Sequence, residues 1–427
     1  MKKLLIIFTL FLFTLPAWSD AEQSTEPEKK VEYEKKSVKE EKPPAFRLKN
    51  RGFELAFLNI YAGFGNSIVT APEIFQKTAE ISLENIFNGF GIGFGLYAAP
   101  LAININCKNK WGFGLDLGTI SVNGNVNVSG DLLSLKKTDY ELFGAGAAAY
   151  FDIGLPVFFH IRKLKIKIRP AAYIPLAHAE PGISYIFKEK DDGLFWSIKY
   201  DMYVYSPFDI DGLMSGNFDP LSAAQSVLNT KTIGFDFNTG LEFPLSKWLD
   251  FGVNISNIPL KPSVLNYYIN MAGEVFIDTS VLDIMDLING NKLPDNFMGF
   301  PEKFEYFPGT SEKSVIRPFK FIAYAFYRPF LSHIISLQLS AGLAYNPIFS
   351  QPSSFEGGLK INFDLINMLV TSAGVNYEDR LWKTGLDFKI NLRFFELDIG
   401  IASQSPNFGK SFQLAGLGVN ITLRMGL

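Results

Sequence analysis

Ala415-Gly416-Leu417-Gly418-Val419-Asn420-Ile421-Thr422-Leu423-Arg424-Met425 places an apolar side chain at every second position and glycine, asparagine, threonine or arginine between them. Side chains alternate across a strand, so this segment has one apolar and one polar face. The same step recurs from Trp111 to Gly118, Ile233 to Glu242, Leu249 to Ser256, Ile335 to Ala344 and Trp382 to Arg393. Weaker runs fall near 90–106, 140–159, 163–177, 195–205, 319–327, 357–363, 370–378 and 395–401. After residue 19 no apolar stretch is long enough for a spanning helix. Many half-apolar strands in that setting predict an all-β fold, a transmembrane antiparallel barrel with an apolar outside and a polar inside. At about 9–11 residues per crossing the runs amount to about 14 strands. The 41 Phe, 17 Tyr and 36 Gly among 427 residues fit aromatic girdles and closely packed strands better than a helical enzyme.

The first 19 residues carry Lys2 and Lys3, the apolar run Leu4 to Leu15 and the small-residue site Ala17-Trp18-Ser19, the pattern of a secretory signal. Residues 20–50 are dominated by Glu, Lys, Ser and Pro and read as a charged, disordered periplasmic tether. Residues 51–427 are then the barrel, expected in the outer membrane of a diderm bacterium with membrane lipids as its surroundings. The single cysteine, Cys107, excludes an internal disulfide. A formal net charge of −3 is too balanced for nucleic-acid binding.

Residues 53–64 read as a strand or a buried extended segment, in or out of the wall. The stretch 65–89 changes period: Thr70 and Glu73 have capping-box spacing, and Ile74, Phe75, Ile81, Ile86 and Phe87 recur at helical intervals until Asn88-Gly89. It predicts an amphipathic helix that plugs the lumen, lies on the membrane or covers one end. Two interruptions, 206–232 and 271–316, read as long extracellular loops, each with a short amphipathic helix, at Leu221 to Leu228 and Thr279 to Ile288. Their apolar faces pack together, catch a greasy ligand or meet an extracellular partner.

Lys163-Leu164-Lys165-Ile166-Lys167-Ile168-Arg169 sets four cations in alternation with three aliphatics. With the aliphatics toward lipid, Lys163, Lys165, Lys167 and Arg169 form a basic ladder in the lumen, a binding row for a carboxylate, phosphate or sulfate. Alternatively they are solvated at a strand end, or pair with lumen acids such as Asp116 and Asp236. Pro156, Pro170 and Pro175 sit in or beside strands. Proline belongs at edges, ends and bulges, so Pro170 and Pro175 mark either a kink or gap in the wall or turn-proximal strand ends. His160, His178 and His333 share no motif spacing, and Gly89 to Gly95 alternates like a strand rather than a phosphate loop. No catalytic residue, metal site or cofactor is expected.

Leu241-Glu242-Phe243-Pro244-Leu245-Ser246-Lys247-Trp248-Leu249-Asp250-Phe251-Gly252-Val253 and the Asn257-Ile258-Pro259-Leu260 turn, with the export signal and the amphipathic segment, resemble outer-membrane barrels of the long-chain fatty-acid transporter (FadL-type) family. The likeness covers roughly residues 50–427. It implies a 14-stranded barrel plugged by an N-terminal hatch, taking hydrophobic compounds from outside and releasing them through a side opening. The family's Asn-Pro-Ala hatch motif is absent, so no ligand residue is carried over. The expected function is passive uptake of hydrophobic small molecules, foremost long-chain fatty acids. The alternatives are a surface barrel acting as an adhesin or interaction protein and a general diffusion porin.

Overall fold

The computed structural model describes residues 52–74, 91–107, 110–127, 139–141, 143–161, 163–190, 193–217, 219–246, 248–278, 298–299, 305–329, 334–349, 352–365, 368–392 and 394–426. In chain order the strands are β1 (Phe53–Asn66), β2 (Gly91–Ala99), β3 (Leu101–Cys107), β4 (Trp111–Asn127), β5 (Asp139–Glu141), β6 (Phe143–Gly154), β7 (Val157–Ile161), β8 (Leu164–Lys190), β9 (Gly193–Ser206), β10 (Gly234–Pro244) and β11 (Leu249–Lys261). They continue as β12 (Ser263–Asp278), β13 (Met298–Gly299), β14 (Glu305–Val315), β15 (Phe319–Tyr327), β16 (Ile335–Tyr345), β17 (Ser353–Leu365), β18 (Leu369–Glu378), β19 (Leu381–Asn391), β20 (Phe395–Ser405) and β21 (Gly416–Gly426). The helices are α1 (Ala71–Ile74), α2 (Ile210–Met214) and α3 (Pro220–Val227).

Several of these strands share one position in the wall, and proline separates them. Pro100 divides β2 from β3, Pro156 lies between β6 and β7, Pro262 divides β11 from β12, and Pro318 precedes β15. A residue without an N–H cannot donate to the ladder, so long wall strands break where it occurs. Counted by position the wall has fourteen strands. Antiparallel pairing of β1 with β21, from Glu54↔Gly426 to Gly65↔Gly416, closes it. Residues 53–64 therefore belong to the wall.

The starts of β1 and β4 and the end of β21 lie at one rim. At that end two or three residues separate Cys107 from Trp111, Ile161 from Leu164, Leu365 from Leu369 and Asn391 from Phe395. Barrels of this class keep short turns on the periplasmic side and longer loops outside. The outward positions carry large apolar side chains open to the surroundings, among them Leu339 at 56%, Leu386 at 52%, Ile401 at 51% and Leu417 at 54% exposure. A belt of this kind is stable only against hydrocarbon.

On the inner face, tyrosines lie across glycines of the neighbouring strand. Gly234 pairs with Tyr173 and Gly252 with Tyr324. A Cβ on Gly234 would meet the Tyr173 ring at 2.3 Å, and one on Gly252 the Tyr324 ring at 2.2 Å. The ring covers the backbone that glycine leaves bare. Gly252→Ala must displace Tyr324, and overpacking of this kind costs about 1–3 kcal/mol. The expected result is a lower temperature for loss of the compact, fast-migrating form of the detergent-solubilised barrel. An unchanged transition would show that Tyr324 swings away freely.

Several expectations change against this frame. The interval 271–316 is not one loop: residues to Asp278 continue β12, and Glu305–Val315 form β14, paired with β12. β14 carries polar residues on both faces, Ser311 and Lys313 on one and Thr310, Glu312 and Ser314 on the other, so the two-step apolar signal fades there although the ladder continues. Thr279 to Ile288 lies outside the described residues. So do the signal at 1–19, the tether at 20–50 and residues 75–89 of the expected plug; of 65–89 the described part is the end of β1, a bend and the single turn α1. The interval 206–232 does not join two strand ends at the rim, and its place in the wall defines the candidate site.

Candidate functional site

The β8 strand runs 27 residues. Its lower part pairs with β10, ending at Tyr173↔Gly234. Its upper part pairs with β9, beginning at His178↔Tyr205. Strands β9 and β10 thus occupy one wall position, and the four β8 residues 174–177 face residues 206–233, 28 residues where four would complete the ladder. Pro175 sits inside this interval, at a bulge in the β6–β8 register, where Ala149 pairs with Ala177 and Tyr150 with Pro175. The wall is continuous below it and again above it, but the ladder is broken here.

The diverted segment forms α2 and α3. Asp209 caps α2 through Asp211 N–H, and Asp219 caps α3 through Leu221 N–H, with Pro220 at the first turn. Helix α3 has no buried residue, and Leu221 and Leu228 are 69% and 68% exposed. The segment returns along the start of β12, where Val264 N–H donates to Lys231 O at 3.0 Å. Lys261, paired with outward Phe235, donates to Ile233 O at 2.9 Å.

Inside the break the lumen is apolar. Tyr173 from β8, Leu265 from β12, Val315 from β14, and Ala148 and Tyr150 from β6 pack with Ile348 and Phe349. The last two belong to the β16–β17 connection, which folds into the barrel. Tyr173 Oη donates to Val315 O at 3.1 Å, and the Arg380 guanidinium lies 4.6 Å over the Phe349 ring. Toward the outer end the cluster meets Tyr205, which packs with Tyr203 and Tyr268 at ring separations of 6.3 and 6.0 Å. The Lys313 ammonium lies 5.4 Å over Tyr205 and pairs with Glu180, itself bonded to His178.

Directly beneath the cluster the interior is crossed by charge. Arg317, in the short link before β15, is 6% exposed and binds both oxygens of Asp236 at 2.6 Å. It also pairs with Asp152, which pairs with Arg169, which pairs with Asp116. Three residues after Arg317, Lys320 bonds Glu356, Glu378 and Asp379 at 3.0, 3.2 and 2.8 Å, and Lys383 joins Glu378 at 3.1 Å. Buried ions persist only when paired and hydrogen-bonded, and these form two groups, one from Asp116 to Asp236 and one from Lys320 to Lys383. A polar cavity of about 560 Å³ reaches from Glu54, Lys167 and Arg424 near the short-turn rim up to this plate of ions, at Arg317 and Asp379, and to the edge of the cluster at Tyr150.

The basic ladder is distributed over these layers. Lys163 is exposed at the turn before β8. Lys165 pairs with Glu242, Lys167 lines the polar cavity with its ammonium 5.5 Å over Phe158, and Arg169 is part of the plate. The row faces the lumen, and Asp116 is among its partners; Asp236 pairs instead with Arg317. Pro170 lies within unbroken β8–β10 pairing, opposite Phe237, so it marks no gap. Arg317, Ile348 and Phe349 escape a reading of the strands because all three sit in links. Their signals are an arginine held between two alternating runs, before Pro318, and an Ile-Phe pair in a segment that should be polar.

Neither a family model nor a curated protein matches the sequence. Among solved structures it is similar to the toluene transporter TbuX of Ralstonia pickettii, at 8% identity over 91% of this chain and 92% of that one, with a TM-score of 0.41. It is similar to the P. putida toluene transporter TodX at 8% identity, over 88% and 90%, with a TM-score of 0.42. A Pseudomonas aeruginosa FadL homologue stands at 7% identity, over 88% and 89%, with a TM-score of 0.40. The architecture described above rests on this chain's own ladder.

Proposed function

We propose that the protein is a passive conduit of the outer membrane of a diderm bacterium, admitting hydrophobic small molecules from outside and releasing them sideways into the bilayer. The observation that carries this reading is the coincidence of three layers at one height: a broken wall ladder opposite residues 174–177, an apolar cluster behind it, and a paired-charge plate under it. An apolar molecule gains nothing by crossing buried ion pairs into a polar cavity. Its favourable way out of the cluster is through the wall. Long-chain fatty acids are the class we favour, the cluster taking the tail while Lys313 at its outer side supplies a cation for the carboxylate.

The test is reconstitution in liposomes. Labelled oleate should cross faster than in protein-free vesicles, while sucrose stays trapped. Leakage of sucrose would mean that the plate does not seal the lumen and that the protein is a diffusion porin. Oleate transfer at the protein-free rate would overturn the conduit and leave the interaction role of the outer loops.

A further inference from the structure

The outer wall carries a second apolar cavity, remote from the broken ladder. It has a volume of about 580 Å³ and is lined by β17, β18, β19, β20 and the connection from β20 to β21. Cross-strand pairing sets its floor in two outward rows. Leu359, Val375, Thr384 and Ser403 form the upper row, and Ile361, Ala373, Leu386 and Ile401 the lower. Ala373, Val375 and Thr384 are short side chains in the middle of long ones, so the belt has a dent there.

The connection to β21 roofs the dent. Its 3₁₀ turn, Lys410–Phe412, folds down on the wall, and Phe412 and Leu414 complete the lining. The roof is braced rather than loose: Ser411 Oγ is 3.0 Å from Thr384 Oγ1, Lys410 Nζ donates to Ser67 O at 2.6 Å, and Ala71 N–H donates to Leu414 O at 3.1 Å. Leu414 is held at φ 56°, a left-handed conformation uncommon for a bulky residue, which persists only where its surroundings fix it. Above the dent Tyr377, Trp382, Phe408 and Phe412 form a continuous aromatic row with ring separations of 4.8, 4.8 and 5.2 Å. Such aromatic belts lie at headgroup level, which places the dent just below, at the depth of acyl chains.

Two facts decide the occupant. Ser411 donates to Phe408 O at 2.7 Å and accepts from Thr384, which leaves Ser403 Oγ, among the described residues, as the one hydroxyl of the lining without a partner; a water needs two or more polar partners, so the cavity stays dry. It is also continuous with the lipid-facing belt at Leu386, Phe388 and Ile401, each more than 40% exposed. We propose that the dent between β17 and β20 is a binding site for one acyl chain of a membrane phospholipid, held under the 406–415 connection. In the absence of a hydrophobic drive between protein and lipid, van der Waals fit against the recessed floor and fixed roof distinguishes this chain from its neighbours. The proposal rests on the wall spanning a bilayer and not on the transport reading.

The experiment uses the full barrel reconstituted in phosphatidylethanolamine and phosphatidylglycerol vesicles, re-extracted in mild detergent and weighed intact by native mass spectrometry. Wild type should retain one phospholipid. Ala373→Trp, which fills the floor from an outward position, should cut that retention by at least about tenfold. Leu339→Trp, in the belt but outside the dent, should retain the lipid like wild type. The heat-dependent gel shift of each variant reports that it is folded. Equal retention in the Ala373 and Leu339 variants would overturn the site, as would an absence of retained lipid in wild type. Displacement of the lipid by free oleate would assign the dent to the transported molecule instead.

Discussion

Arg317→Met should be the most destabilising single substitution in the lumen. The change removes both bonds to Asp236, whose side chain is 1% exposed, and one of those to Asp152, at 5%. Asp152 keeps Arg169, whereas Asp236 is left as a buried carboxylate without its bidentate partner. Removing one member of a buried pair costs about 3–5 kcal/mol because the other charge stays behind. The expected readout is a large fall in the temperature at which the solubilised barrel loses its compact form. Restoring neutrality with Asp236→Asn in the same chain should recover much of the loss. If the double variant is no more stable than the single one, the penalty is not the stranded charge, and the plate contributes packing rather than paired ions. The same variant loosens the partition between cluster and cavity, so its small-ion conductance in planar bilayers should exceed that of wild type.

The wall was legible in the sequence because lipid imposes a simple rule. Alternate residues must be apolar wherever a strand crosses hydrocarbon, and β16, β19 and β21 carry that imprint almost without fault. The rule lapses for β14, whose polar residues lie on both faces, and there the pair of β14 with the upper part of β12 read as a loop. The three prolines, alike in sequence, stand in three different settings. Pro156 separates two strands and Pro175 stands at a bulge opposite a broken ladder, whereas Pro170 sits in regular pairing. Sequence has no local means of telling these apart, since each outcome depends on which neighbour donates to that position. The basic ladder shows the same limit. Alternation puts Lys165, Lys167 and Arg169 on the inner face, but the acid of Lys165 lies on β10 and those of Arg169 on β4 and β6, and only the folded sheet brings them together.

Closing the broken ladder is the sharper test of how a molecule leaves. Replacing residues 207–233 with three strand-forming residues would let Ser206 and its successors pair across from 174–177 and join β9 to β10 without a detour. The ladder gains hydrogen bonds, and α3, which has no buried residue, is lost with small penalty. The barrel should therefore fold, with its heat-dependent shift intact or moved upward. Oleate transfer should fall to the protein-free rate, because the apolar cluster would then be enclosed by continuous wall on the lipid side and by paired charge below. A variant that folds and still transfers oleate at the wild-type rate would remove the side exit from the mechanism. The path would then have to run through the plate at Arg317, and Arg317→Met should accelerate transfer instead. Measuring both variants in one assay separates the two routes, since each predicts an effect on only one of them.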